Sequence, residues 1–340
     1  MGTLLVSHRL HAERGAELAR EASKCGCTLD VVVLPEDREA RLSGEACKNI
    51  KVAFFSHDVF PDFSRQFFSA VRKAPNLQWL HAFNVGVDHP IYTEMLERGV
   101  RVTTSAGSTA VPIAQTAITG LLMLARNFPR WLAGQRDHKW DPMYGSDVPR
   151  DLPGQTALII GVGQIGTEIA RLARMLGLTV IGVRRSALKP DDPVDELHAP
   201  EHLRALLPRA DWLILAAPLT AETRGLVNAD VLSRLPKGAK LINIARGEVV
   251  DEPALIEALR SGHLAGAYLD VFEREPLPPD SPLWDLPNVL VTPHNSPAAS
   301  GNNHRVYDIF IKNLGHWVRG KPLVNEVAHE VRRTRSGGAA

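Results

Sequence analysis

The stretch T-A-L-I-I-G-V-G-Q-I-G-T-E-I-A, residues 156–170, decides how the chain is read. An apolar run ahead of three glycines reads as a buried strand, and the residues from Ile165 onward read as a helix. Gly161 allows a tight turn, Gly163 lets backbone approach a pyrophosphate, and Gly166 lets the helix pack on the strand. Gln164 and Ile165 sit at the helix start, where free N–H groups and a partial positive charge attract anions. A second apolar run, T-V-I-G-V at residues 179–183, follows the helix. Strand, glycines, helix and strand in that order make a dinucleotide-binding unit.

Just past that second strand the chain departs from the usual pattern. An acid commonly stands about 20 residues beyond the glycines and bonds the ribose 2′-hydroxyl. Here Arg184 and Arg185 occupy the place. A guanidinium pairs with a 2′-phosphate through charge-assisted, sometimes bidentate bonds, each worth about 1.5–3 kcal/mol. NADP(H) is therefore the preferred cofactor. NAD(H) is the other reading, in which both arginines are solvated surface residues.

Outward from this unit, short apolar runs alternate with helical patterns along most of the chain. L-L-V-S, L-D-V-V-V-L, V-A-F-F-S, L-Q-W-L-H-A-F and V-R-V-T-T read as strands in the first hundred residues. T-A-L-I-I-G, L-T-V-I-G-V, W-L-I-L-A-A, K-L-I-N-I-A, A-G-A-Y-L-D and V-L-V-T-P read as strands of a second set. Such alternation predicts an α/β fold with two doubly wound parallel sheets, both Rossmann-like. One long helix is expected over residues 111–132, with Pro112 in its first turn, and another over residues 302–318. Residues 139–154, rich in proline and glycine, read as a surface connection, and residues 331–340 as a disordered tail.

With 340 residues, 44% hydrophobic and 23% charged, the chain has the balance of a globular protein with room for two domains. A net charge of +1 offers no broad attraction for nucleic acid or an acidic membrane. No secretory leader or apolar run of membrane-spanning length is present, so a cytoplasmic location is expected. Cys25, Cys27 and Cys47 make neither a disulfide framework nor a spaced metal set. Reduced thiols and no metal follow. The expected partner is a small molecule.

Polar residues interrupt apolar runs at three further places: Arg246 in L-I-N-I-A-R-G, Asp270 and Glu275 in Y-L-D-V-F-E-R-E-P, and His294 in V-T-P-H-N-S. All follow predicted strands, and open parallel sheets bind ligands beyond the carboxyl ends of their strands. Imidazole titrates near neutral pH, which makes His294 a natural proton donor. Glu275 would bond its other ring nitrogen and fix the tautomer. The planar fork of Arg246 suits a carboxylate or a carbonyl oxygen, and the backbone N–H groups of Val85 and Gly86 are candidate donors to the same ligand, since a glycine permits close approach.

Together with N-V-G-V-D-H, G-V-G-Q-I-G and A-P-L-T-A-E-T-R-G-L-V-N, these motifs resemble those of the D-isomer-specific 2-hydroxyacid dehydrogenases, in the family's order over nearly the whole chain. The glyoxylate and hydroxypyruvate reductase branch is the most similar. The resemblance implies that a cofactor domain, residues 104–294, is inserted into a flavodoxin-like substrate domain formed by residues 1–103 and 295–330. It places the active site in the interdomain cleft and implies a homodimer. It also implies that Asp270 bonds the nicotinamide amide, that Ala217, Pro218, Ile244 and Ala245 line the cofactor cleft, and that His294 meets both cofactor and substrate.

Two departures bear on the substrate. Gln115 stands where the family usually has glutamate, and Asn295 and Ser296 follow the histidine where an apolar and a small residue are common. Ser296 is a candidate donor to a substrate oxygen. Competing readings are a phosphoglycerate dehydrogenase that uses NAD, and a dinucleotide-sensing binding protein like the corepressors that share this fold.

Overall fold

The computed structural model describes residues 3–24, 26, 28–87 and 89–327. Cys25, Cys27 and the tail at 331–340 lie outside them; Cys47 is a buried free thiol. The chain forms two compact units, one from residues up to 108 together with those from 300 onward, the other from residues 109–299.

In the first unit the strands are β1 (Thr3–Val6), β2 (Asp30–Val33), β3 (Ile50–Phe55), β4 (Trp79–Ala82) and β5 (Arg101–Thr104). They pair in parallel in the order β2-β1-β3-β4-β5, the flavodoxin-like arrangement. Side chains alternate between its faces. Leu5, Phe55 and Leu80 enter one core, while Leu4, Phe54 and Trp79 enter the other, closed by Phe310 of the helix Asn302–Val318. That helix has the bounds read from the sequence.

The second unit holds β6 (Thr156–Ile160), β7 (Thr179–Val183), β8 (Glu196–His198), β9 (Trp212–Leu215), β10 (Lys240–Asn243), β11 (Gly266–Leu269) and β12 (Val289–Val291). All pairings are parallel, in the order β12-β11-β10-β9-β6-β7-β8. The order reverses between β6 and β9, and a doubly wound sheet opens its crevice at such a point. Leu158, Leu213 and Leu241 bury on one face, and Ile159, Ile214 and Ile242 on the other. Strands covered on both sides become continuous apolar runs, which is why the sequence shows them clearly.

Two elements differ from the sequence reading. The single helix expected over residues 111–132 is two helices, Ala110–Ala125 and Phe128–Arg136. Asn127 between them takes a left-handed conformation (φ 55°), and Pro129 lacks the N–H and the room to continue the first helix. β8 was not expected. It has three half-buried residues at the sheet edge, too short and too polar to leave a pattern.

Candidate active site and dinucleotide cavity

The three glycines of the loop after β6 have three different surroundings. Gly161 has φ +97°, and a Cβ there would meet Ala217 backbone at 2.5 Å. A Cβ on Gly166 would stand 2.0 Å from the Gly161 carbonyl oxygen, so only glycine lets the helix Gln164–Met175 approach the loop this closely. Nothing lies within 4 Å of a Cβ on Gly163, which caps that helix without a side-chain bond. The helix start therefore borders open space.

That space is a cavity of about 480 Å³ at the reversal point of the sheet, bordered by the glycine loop, the end of β7, and Ala217 and Pro218 after β9. Its position, its uncapped helix start and its mix of apolar wall and charged rim fit a dinucleotide. Ile244 and Ala245, also assigned to the cofactor cleft from the sequence, are buried in the core after β10.

The paired arginines divide in the structure. Nε of Arg184 donates to the Ser186 carbonyl at 3.0 Å, and Nη1 to the Val162 carbonyl at 3.3 Å and Asp192 Oδ1 at 2.9 Å. Nη2 donates to the Ala187 carbonyl and to Asp192 Oδ2. All five guanidinium N–H groups are thus committed within the chain, and the side chains of Arg184 and Asp192 are only 10% and 7% exposed. The sequence reading gave Arg184 to the 2′-phosphate; its donors instead fold the loop after β7. Arg185 is exposed on the rim of the cavity.

Beyond β10, β11 and β12 lie the residues read as catalytic. Arg246 is exposed on a turn in which Asn243 Oδ1 accepts from Ala245 N–H and Asn243 Nδ2 donates to the Arg246 carbonyl, each at 3.0 Å. A Cβ on Gly247 would fall 1.8 Å from the Phe272 carbonyl carbon, so this turn rests directly on the loop after β11. On that loop Glu275 Oε1 accepts the Phe272 N–H at 3.0 Å, and Oε2 lies 2.7 Å from His294 Nδ1. The carboxylate fixes the ring and leaves Nε2 as the outward atom. Arg246 and its turn, Glu275 and His294 are therefore carried by adjacent strands.

His294 itself is left-handed (φ 49°), an uncommon state for a side chain of its size. Asp270 maintains it. The Asp270 carbonyl accepts the His294 N–H at 2.8 Å. Its carboxylate accepts from the Thr292 hydroxyl at 2.6 Å, Asn295 N–H at 3.0 Å and Ser296 N–H at 3.1 Å. Asp270 is fully enclosed at 0% exposure, and its carboxylate anchors the histidine loop. Ser296 is also buried, at 5%, with its backbone in the same anchor. Val85 and Gly86 lie in the first unit on the loop after β4, both exposed.

The sequence reading missed Asp192, Glu222, Asn243 and Thr292. Asp192 and Asn243 carry no motif, because their importance lies in the donors they meet. Glu222, exposed on the cavity rim, stood inside a motif quoted for other reasons.

A seven-stranded parallel sheet with a glycine loop at its reversal point and a carboxylate-oriented histidine beyond a neighbouring strand defines a dinucleotide-dependent α/β oxidoreductase. Residues 118–296 match the family D-isomer specific 2-hydroxyacid dehydrogenase, NAD binding domain. A glyoxylate reductase of Korarchaeum cryptofilum is 35% identical over 274 residues, covering 78% of this chain and 80% of that protein. A D-isomer specific 2-hydroxyacid dehydrogenase from Xanthobacter autotrophicus Py2, solved with NADPH and MES, is 31% identical with a TM-score of 0.70, over 96% of this chain and 98% of that one. An NADPH-dependent glyoxylate/hydroxypyruvate reductase from Sinorhizobium meliloti, solved with NADP and sulfate, is 28% identical with a TM-score of 0.70, over the same shares. The chain belongs to the D-isomer specific 2-hydroxyacid dehydrogenases, a family of NAD(P)-dependent oxidoreductases acting on small hydroxy and keto acids. Among the described residues no helix is long and apolar enough to cross a membrane.

Proposed function

We propose that this protein reduces small 2-keto acids such as glyoxylate or hydroxypyruvate, with NADPH as the preferred cofactor. The observation that carries this reading is the His294–Glu275 pair, whose 2.7 Å contact orients the imidazole as a proton donor. The Korarchaeum glyoxylate reductase and the Sinorhizobium glyoxylate/hydroxypyruvate reductase support the substrate class. Arg185 on the cavity rim supports the phosphorylated cofactor.

NADPH, when bound, would supply the hydride for the keto carbon. His294 Nε2 gives a proton to the carbonyl oxygen, and Glu275 keeps the ring oriented through Nδ1. Arg246 holds the substrate carboxylate with its planar fork. The Gly163 backbone and the helix start behind it receive the pyrophosphate.

A homodimer is part of the same reading. Trp140 (94% exposed), Tyr144 (76%) and Val148 (56%) form an apolar series along the segment after the helix Phe128–Arg136. Large apolar side chains so exposed favour a partner surface. Light scattering on the purified protein reads the mass directly, and a monomer there refutes the dimer.

The function is tested by initial rates of NADPH and NADH oxidation with glyoxylate, hydroxypyruvate and pyruvate in parallel. Fast NADPH turnover with the first two is the expected result. Tight cofactor binding without turnover of any of the three would replace the reductase with a sensing role.

A further inference from the structure

The dinucleotide cavity carries an acid on its rim as well as an arginine. Glu222 lies on the loop after β9 and borders the same cavity as Arg185. Its carboxylate accepts from the Thr220 hydroxyl at 2.6 Å. The loop is held in turn by Thr220 N–H donating to Thr223 Oγ1 at 2.7 Å, and by Thr223 Oγ1 donating to the Pro218 carbonyl at 2.7 Å. Bonded to Thr220 on a braced loop, the carboxylate occupies a set place. The Thr220 hydroxyl foremost, and the nearby positive charge of Arg185, hold the Glu222 carboxyl below its ordinary range. Glu222 is therefore ionised at neutral pH.

Opposite charges on one rim have opposite preferences for the ribose 2′ position. A 2′-phosphate is attracted by Arg185 and repelled by Glu222. A 2′-hydroxyl gains nothing from an arginine and finds an acceptor in a carboxylate, the role ordinarily given to an acid at the end of the second strand. That strand end has no such acid in this chain, and Arg184 beside it is committed to Asp192.

We propose that Glu222 is a specificity-determining residue of the cofactor site, opposing the 2′-phosphate that Arg185 attracts and accepting the 2′-hydroxyl of the unphosphorylated dinucleotide. The chain consequently uses both cofactors, with a smaller preference for NADP(H) than Arg185 alone would impose. This rests on the dinucleotide reading of the cavity but not on the reductase activity.

The test is calorimetric binding of 2′,5′-ADP and 5′-AMP, which differ only by the 2′-phosphate, to the full chain and its variants. Glu222→Gln should tighten 2′,5′-ADP by about two- to fivefold, the scale of an exposed charge interaction, and leave 5′-AMP unchanged or weaker. Glu222→Arg should widen the ratio further. Arg185→Ala should weaken 2′,5′-ADP by roughly tenfold and leave 5′-AMP within about twofold. If both fragments bind and neither Glu222 variant changes their ratio, the role of Glu222 is overturned while the dinucleotide reading stands. Failure of the unaltered protein to bind either fragment overturns both.

Discussion

Glu275 and His294, nineteen residues apart on the loops after β11 and β12, are held 2.7 Å apart through Oε2 and Nδ1. The second carboxylate oxygen is fixed by the Phe272 N–H. The glutamate therefore cannot swing away, and the imidazole keeps one tautomer and one direction.

Replacing His294 with alanine should lower kcat by about 10²–10⁴-fold, the usual contribution of a positioned acid. Cofactor affinity should change little, because the ring contributes a proton rather than a large contact. Glu275→Gln keeps the side-chain size but replaces the carboxylate that orients the ring; its loss of kcat should be smaller, about tenfold or more. Steady-state kinetics with cofactor-binding titrations separate the two. A large loss of cofactor binding in His294→Ala would make the histidine structural.

Arg184 should matter for the cofactor loop rather than for one cofactor. Arg184→Ala removes both bonds to Asp192 and three bonds to carbonyls, so NADPH and NADH affinity should fall together. Thermal stability should drop by about 2 kcal/mol, as for hydrogen bonds to a charged group. Arg184 and the Lys189 N–H hold the Asp192 carboxyl below its ordinary value. Its stabilisation is thus complete above the ordinary carboxyl range and is lost as pH falls through the lower, folded-state value. Selective loss of NADPH in this variant would return Arg184 to the phosphate.

His81 should make stability depend on pH. It is buried at 0% exposure, and burial pushes its pKa down to about 3. The Ser105 hydroxyl donates to the Ala82 carbonyl at 2.9 Å, so its oxygen accepts from His81 Nε2 at 3.2 Å. Nδ1 then accepts from the Thr103 hydroxyl at 2.7 Å, and that oxygen accepts the Trp79 indole N–H at 2.8 Å. The network is satisfied with a neutral ring. Below the ordinary histidine value, about 6.5, the unfolded chain takes up a proton that the folded chain refuses. Stability should fall from there towards pH 3 by up to about 1.4 kcal/mol per unit. Urea midpoints at pH 7 and pH 5 should converge in His81→Gln relative to the unaltered protein; an unchanged difference would exclude His81 as the source.

Gly247 should tolerate no side chain. Alanine there would place Cβ 1.8 Å from the Phe272 carbonyl carbon, forcing the Arg246 turn away from the loop that carries Glu275. Gly247→Ala should cost a few kcal/mol of stability and lower kcat/KM more than it lowers cofactor affinity. Full activity in this variant would show that the turn moves without consequence.

The sequence by itself determined the element types. Strands buried on both faces are apolar throughout, and in the glycine loop Gly166 is required by its approach to the Gly161 carbonyl a few residues back, so both signals are local and legible. Asn127 and Pro129 carried a break signal that the apolar pattern on either side concealed, and β8 was too short and polar to signal at all.

The tertiary structure alone decided which of two adjacent arginines is available, because that depends on where the loop carries Asp192. Asp270 is a similar case: the three donors to its carboxylate come from residues 292–296 on another strand's loop. An amino-acid pattern records which groups can bond. Which donor meets which acceptor is set when segments distant in the chain pack together, and a buried polar group is then held by whichever partners that packing supplies.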